Sequence, residues 1–157
     1  EAMGGARDLG LMLFAFGAGN IGGVLVSLRV KPKHPLIVAM GGMPLVGVWM
    51  IGAAVPFHIV ILMILAFVSG IAMDLFFVMW MTMFQTHVPE EALSRVSAYD
   101  ALGSTVFAPL GLFLAGPISL WIGTSETLYS AGVIAIVMAG AALFNKDVRR
   151  LEPVTEK

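Results

Sequence analysis

The stretch from Leu36 to Met73 contains no Asp, Glu, Lys or Arg. One crossing of a hydrocarbon core roughly 30 Å thick takes about 20 residues of helix, so this run is too long for a single span. Backbone groups in lipid must be hydrogen-bonded within their own segment, which favours helices. Pro56, Phe57 and His58 form the natural break in the run. The sequence therefore predicts two membrane helices joined at this point.

The composition places the whole chain in the membrane class. Charged residues make up 12% of the sequence and hydrophobic residues 59%, whereas a soluble domain carries about a quarter charged residues. A net charge of −1 argues against a nucleic-acid partner. The chain has no cysteine, and His34, His58 and His87 lie too far apart for a helical metal motif. We therefore predict no metal site, no cofactor and no enzyme.

The predicted fold class is all-α, a polytopic transmembrane bundle with five spans. Pro89 followed by Glu90 and Glu91 predicts the start of a short interfacial helix between the third and fourth spans. Ser97 and Asp100 match a capping box before the fourth span, Arg95 is placed to pair with Glu91, and Thr124–Glu126 predicts a tight turn. The spans are expected at about 9–28, 36–55, 59–85, 101–123 and 127–144, forming one domain over 1–145 with a charged tail at 146–157.

Charge placement predicts the orientation of these spans. With the N-terminus outside, all Lys and Arg residues except Arg7 fall in cytoplasmic segments, which agrees with the positive-inside rule. We therefore expect a multi-pass protein of the cell (inner) membrane, with its N-terminus outside and its C-terminus in the cytoplasm. The cytoplasmic set comprises Arg29, Lys31, Lys33, Arg95, Lys146, Arg149, Arg150 and Lys157.

Small residues and prolines within the spans predict close helix packing and bends. Ala15, Gly19, Gly23 and Ser27 recur every four residues along the first span, and such rows let another helix backbone approach closely. Two interpretations of such rows remain open. They provide the tight helix packing of any polytopic protein, or they form faces that slide or rock during a transport cycle. Proline inside a helix predicts a kink or a break, which serves either a gate or a static bundle. The further packing candidates are Gly111 and Gly132, and the kink candidates are Pro44, Pro109 and Pro117.

Asp74 is the most informative polar residue of the spans. It lies roughly 18–22 Å of helix from either end of the third span, where an ionised carboxylate is costly unless it faces a cavity, finds a partner or stays protonated. Gln85 shares its helical face, and Asn20 is a polar group in the first span. These three residues are candidates for binding a proton or a cationic substrate. The alternative is a structural carboxylate bonded to a neighbouring helix or close to water.

Several segments resemble the major facilitator superfamily. The resemblance is carried by Gln-Thr-His-Val-Pro-Glu-Glu-Ala-Leu-Ser-Arg-Val-Ser at 85–97, by 101–111 and by Ala-Gly-Pro at 115–117. It is nearest the bacterial branch that includes the enterobactin exporter and macrolide efflux proteins. Residues 10–23 are similar to the family's eighth helix, although the basic loop at 29–33 lacks the Asp and paired glycines of the fuller family motif.

The resemblance implies that the five spans are helices eight to twelve of a twelve-helix transporter. The expected partners are then the lipid bilayer, a small-molecule substrate and a missing N-terminal half of the same transporter. It further implies export of amphipathic or drug-like molecules by alternating access, with proton coupling and the direction of transport left open. The residues alone also allow a non-transporting membrane scaffold, a channel or a membrane subunit of a multi-component permease.

Overall fold

The computed structural model describes residues 5–30, 32–55 and 57–145, and its regular structure over these ranges is entirely helical. Each of the five helices is long and apolar enough to cross a membrane. The predicted all-α, five-span fold is confirmed, while the charged tail predicted at 146–157 lies outside the described residues. The helices are α1 (Ala6–Ser27), α2 (Pro35–Ala54), α3 (Ile59–His87), α4 (Glu90–Ile122) and α5 (Thr124–Phe144).

The separate interfacial helix predicted before the fourth span is wrong, because α4 runs unbroken from Glu90 to Ile122. Its start agrees with the sequence, since Pro89 is the N-cap and two acids occupy the first turn. The predicted capping box is wrong. The Ser97 hydroxyl donates to the Leu93 carbonyl oxygen at 2.6 Å, a bond to the preceding turn that lets serine sit inside a helix. Arg95 and Asp100 consequently lie exposed in regular helix.

The turn between α4 and α5 consists of Gly123 alone. Its φ of 102° lies in the region that glycine adopts without a steric penalty. The tight turn predicted at Thr124–Glu126 is wrong, because these residues already form the first turn of α5. The Thr127 hydroxyl donates to the Gly123 carbonyl oxygen at 2.7 Å, which secures the start of the helix.

Prolines do not break the helices that contain them. Pro44 lies inside α2, and Pro109 and Pro117 lie inside α4, with helix assigned on both sides of each ring. Each proline removes one backbone donor from its helix. The helix breaks that the sequence allowed at these prolines are therefore absent from α2 and α4.

Helix α3 is the centre of the packed part of the bundle. It packs along both α1 and α2, and α2 packs along α5 on its other side. Leu62, Ala66 and Ser69 of α3 are almost completely buried at these contacts. The beginnings of α1 and α5 meet the end of α2 around one cavity, at what we call the Asp8 end. The end of α1 and the start of α2 meet the last turns of α3 at the opposite end.

Helix α4 stands apart from this packing. No described residue between Glu90 and Ile122 is buried. Among the described residues, the largest contact of α4 is with α5, and it is much smaller than the contacts between the other packed helices. Leu112 is 79% exposed, Leu120 90% and Trp121 88%. From residue 101 onward, the longest helix of the chain therefore presents an apolar surface on nearly every side.

Candidate functional site

The α1–α3 contact brings two backbones together through paired glycines. A Cβ on Gly19 would lie against the Phe67 carbonyl oxygen and 3.1 Å from Gly70 Cα. A Cβ on Gly70 would in turn lie against the Phe16 carbonyl oxygen. Only glycine permits this approach, because the opposing atoms belong to the backbone and cannot rotate away. We call this contact the glycine seam.

Two polar residues of the sequence prediction lie along the glycine seam. Asp74 packs against Gly23 of α1, where an added Cβ would lie 2.6 Å from Asp74 Cβ and 3.1 Å from Oδ2. Asn20 lies about one helical turn before Gly23 on α1, with its backbone nitrogen beside Gly70. The structure thus places the Asn20 backbone and the Asp74 side chain at successive levels of one helix contact.

Both side chains carry a buried oxygen with no hydrogen-bond partner among the described residues. These atoms are Oδ1 of Asn20 and Oδ2 of Asp74. Buried polar atoms in folded proteins are almost always hydrogen-bonded, so each exception calls for an explanation. The glycine seam therefore contains acceptor capacity that a proton, a water molecule or a cationic group can satisfy.

The third polar candidate, Gln85, lies elsewhere. It shares the helical face of Asp74 but is exposed near the end of α3, about 16 Å further along the axis. Asn20 and Asp74 are therefore grouped by the fold, and Gln85 is not grouped with them.

The remaining packing candidates occupy contrasting positions. A Cβ on Gly132 of α5 would lie 2.6 Å from the Gly47 carbonyl oxygen of α2. Gly111 of α4 has nothing within 4 Å of the corresponding position among the described residues. Gly132 thus lies at a helix crossing, whereas Gly111 faces open space.

Sequence reasoning did not identify Ser69, which is completely buried. Its hydroxyl donates to the Leu45 carbonyl oxygen of α2 at 3.0 Å and links two helices directly. The available signal was a serine next to a glycine in the middle of an apolar run. Ser69 and Gly70 together connect α3 to both of its neighbours at one level.

A cavity of about 530 Å³ at the Asp8 end was also not predicted. Its walls come from the first turns of α1 and α5 and the last turns of α2. Trp49 forms one wall and stacks on Phe16, with ring centroids 5.2 Å apart and planes 15° from parallel. Pockets of this size with mostly apolar walls commonly accommodate small organic molecules. We call it the Asp8-end cavity.

Comparison with protein families agrees with this architecture. The family model for the Major Facilitator Superfamily matches residues 3–157. The chain belongs to the Major Facilitator Superfamily. A search of curated proteins found no match, and a search of solved structures found none.

Membership decides the general function of this chain. Proteins of the Major Facilitator Superfamily are secondary transporters, which are not enzymes and which move small molecules across a lipid bilayer. The chain is accordingly a multi-pass membrane protein with five candidate spans. Membership favours a transporter over the scaffold, channel and permease-subunit alternatives that the residues alone allowed.

Proposed function

We propose that the five helices are helices eight to twelve of a twelve-helix transporter whose N-terminal part covers α4. The exposure of α4 supports this assignment. Its interior positions include Gly103 and Gly111, small residues typical of helix–helix contacts in membranes, yet no described residue outside α4 lies close to either. A helix with such a surface has a packing partner in the complete transporter.

The contact between α2 and α5 also supports this proposal. A Cβ on Gly47 would lie 2.6 Å from the Gly132 carbonyl oxygen and from the Ile136 side chain. A Cβ on Gly132 would lie 2.6 Å from the Gly47 carbonyl oxygen and 2.7 Å from the Ile51 side chain. Each glycine thus faces the carbonyl oxygen of the other glycine and the isoleucine four residues after it. A two-fold axis at the crossing requires such equal contacts from both helices. Inverted repeats of facilitator transporters are related by such an axis in the membrane plane.

That local symmetry supports a place for one further helix. If α1 and α2 correspond to α4 and α5, a helix upstream of α1 corresponds to α3 and packs along α4 and α5. Sequencing the source DNA upstream of the Glu1 codon tests this assignment. An in-frame extension of roughly 200 residues with seven more spans of about 20 residues is expected. A start codon immediately upstream would contradict it.

Within this transporter we assign export of small amphipathic or drug-like molecules by alternating access, coupled to protons. The resemblance to the enterobactin-exporter and macrolide-efflux branch supports the substrate class and the direction. The charge distribution supports an outer Asp8 end and a cytoplasmic start of α4, where Pro89, Arg95 and Asp100 lie. Bending at Pro44, Pro109 and Pro117 then serves the change between the two access states.

The observation that carries the coupling role is the unpartnered carboxylate oxygen of Asp74 on the glycine seam. A carboxylate at this depth must be protonated, paired or hydrated, so its state depends on what reaches it. Asn20, about one helical turn before Gly23 on α1, provides a second oxygen without a partner among the described residues. Together they form a site that binds a proton or a cationic group in one access state and releases it in the other.

Asp74→Asn in the complete transporter tests this role because the amide keeps the shape of the side chain beside Gly23. Reconstituted vesicles with an imposed pH gradient measure substrate efflux. We expect the variant to insert normally and to lose pH-driven efflux. Asp100→Asn is the matched control, since this aspartate lies near the start of α4, outside the glycine seam, and should leave efflux unchanged. Efflux that stays pH-dependent in Asp74→Asn would contradict the coupling role.

A further inference from the structure

A groove of about 180 Å³ lies between the start of α2 and the last turns of α3, at the end of the bundle opposite the Asp8 end. Leu36 of α2 lines one side, and Trp80, Met83, Phe84 and His87 of α3 line the other. From Trp80 to His87 the groove follows about 10 Å of the α3 axis. We call it the Trp80 groove. It therefore runs along a membrane helix, in the direction in which a lipid molecule lies.

The Trp80 groove changes from polar to apolar along its length. His87 forms the polar end, with its Nδ1 3.1 Å from the Met83 carbonyl oxygen. Trp80 forms the apolar end and stacks on Phe76, with ring centroids 6.3 Å apart. Tryptophan near the end of a membrane helix is typical of the boundary between headgroups and hydrocarbon. This order of polar and apolar walls matches a phospholipid, whose headgroup is followed by acyl chains.

The loop before α2 adds positive charge near the polar end of the groove. Arg29 and Lys33 are exposed, and neither forms an ion pair within the described part of the chain. Lys33 precedes Leu36 by three residues, so their Cα atoms lie at most about 11 Å apart. A long lysine side chain at a helix end can extend along the groove wall towards the headgroup level.

This loop is held against the last turns of α3. Val30 and Pro35, on either side of Lys33, line a cavity together with Val78 and Thr82 of α3. The described residues that line the Trp80 groove include no Asp or Glu, and the sequence contains neither between residues 9 and 73. The charge near the polar end of the groove therefore favours an anionic headgroup over a zwitterionic one.

We propose that the Trp80 groove binds one anionic phospholipid, with its phosphate headgroup beside Arg29 and Lys33 and its upper acyl chain against Leu36 and Trp80. Basic residues beside a gap between membrane helices are an arrangement that recognises anionic lipid headgroups. A free phosphate ion would leave the apolar part of the groove unfilled, whereas a phospholipid fills both parts. The site depends neither on the direction of transport nor on proton coupling.

Quenching of tryptophan fluorescence by brominated lipids tests the site. The chain has three tryptophans, so Trp49→Phe and Trp121→Phe together leave Trp80 as the reporter. Reconstitution in mixtures of phosphatidylcholine and brominated phosphatidylglycerol, and the converse, gives the relative binding constant of the two lipids. We expect phosphatidylglycerol to be preferred about twentyfold, because each basic residue near a membrane surface contributes about fivefold. Lys33→Gln should lower the preference about fivefold, and Lys33→Arg should preserve it.

Matched controls separate a bound lipid from general attraction to the surface. Arg95→Gln removes an exposed basic residue near the start of α4, outside the groove, and should leave the preference at Trp80 unchanged. Trp121 as the single reporter should show no preference. Equal losses in Lys33→Gln and Arg95→Gln, or equal quenching of Trp80 by both lipids, would overturn the proposal. Loss of the preference on adding soluble glycerol phosphate would also overturn it and indicate a site for free phosphate.

Discussion

Helices α1 and α4 both contain small residues at multiples of four positions, but these residues meet different surroundings. Gly19 and Gly23 of α1 lie directly against α3, whereas Gly103 and Gly111 of α4 face open space among the described residues. Helix association in lipid depends on close packing, because lipid tails are as apolar as leucine. A row of small residues therefore creates the opportunity for a contact, and a complementary partner decides whether it forms.

The largest effect is expected from Gly19→Leu, because its Cβ would collide with the backbone of α3 at Phe67 and Gly70. Overpacking against atoms that cannot rotate away costs about 3 kcal/mol. A titration of the purified chain with denaturing detergent measures this loss as a lower free energy of unfolding.

Gly111→Leu is the matched substitution on α4 and should change the free energy of unfolding of this chain by less than about 0.5 kcal/mol. The same variant sharpens the proposal that α4 is covered in a twelve-helix transporter. There, the leucine should destabilise the protein, since a partner helix would occupy the space. Equal destabilisation by Gly19→Leu and Gly111→Leu in the five-helix chain would remove the contrast between α1 and α4.

The helices were readable from the sequence because a membrane span must be both long and uncharged. The run from Leu36 to Met73 allows few other folds, so the existence of α2 and α3 was predictable. The start of the fourth span could not be predicted, because Ser97 and Asp100 are compatible both with a cap and with a helix interior. Which of these forms depends on the continuing backbone, as the bond from Ser97 to Leu93 shows.

The polar residues of the glycine seam were predictable individually but not as a pair. Asn20 and Asp74 were notable as polar groups in apolar spans, yet their proximity depends on the register of α1 against α3. That register is set by backbone contacts at Gly19 and Gly70, which no local pattern specifies. The Asp8-end cavity was harder still to predict from the sequence, since it combines Trp49 of α2 with residues from α1 and α5.

A smaller effect is expected at the α2–α5 crossing, where Gly47→Ala and Gly132→Ala each introduce a Cβ 2.6 Å from the opposite carbonyl oxygen. Each substitution should cost about 2 kcal/mol. The double variant should cost clearly less than the sum, because the first methyl group already separates the helices at the point where the second would collide. Unfolding free energies of the two single variants and the double variant measure this coupling.

Gly140→Ala provides the control on the same helix, since nothing lies within 4 Å of its Cβ position among the described residues. It should cause no loss of stability. Strict additivity at Gly47 and Gly132 would show that the two methyl groups act independently, and the reciprocal contact would then no longer support a two-fold axis there.

The smallest effect is expected from Ser69→Ala, which removes the hydroxyl bond from α3 to the Leu45 carbonyl oxygen. Hydrogen bonds between membrane helices contribute about 0.6 kcal/mol on average, and the Leu45 carbonyl keeps its place in the hydrogen-bond ladder of α2. The free energy of unfolding should fall by about that amount. Ser119→Ala on α4 removes only a bond within its own helix and should have no measurable effect.

The size of the Ser69→Ala effect distinguishes two ways in which α3 is joined to α2. A loss near 0.6 kcal/mol means that close packing around Ala66 and Ala72 supplies most of the stability, as it does along the glycine seam. A loss above about 2 kcal/mol would exceed the usual range for such bonds. It would indicate that the serine determines the register of α2 against α3, so that glycine packing stabilises one side of α3 and a polar contact the other.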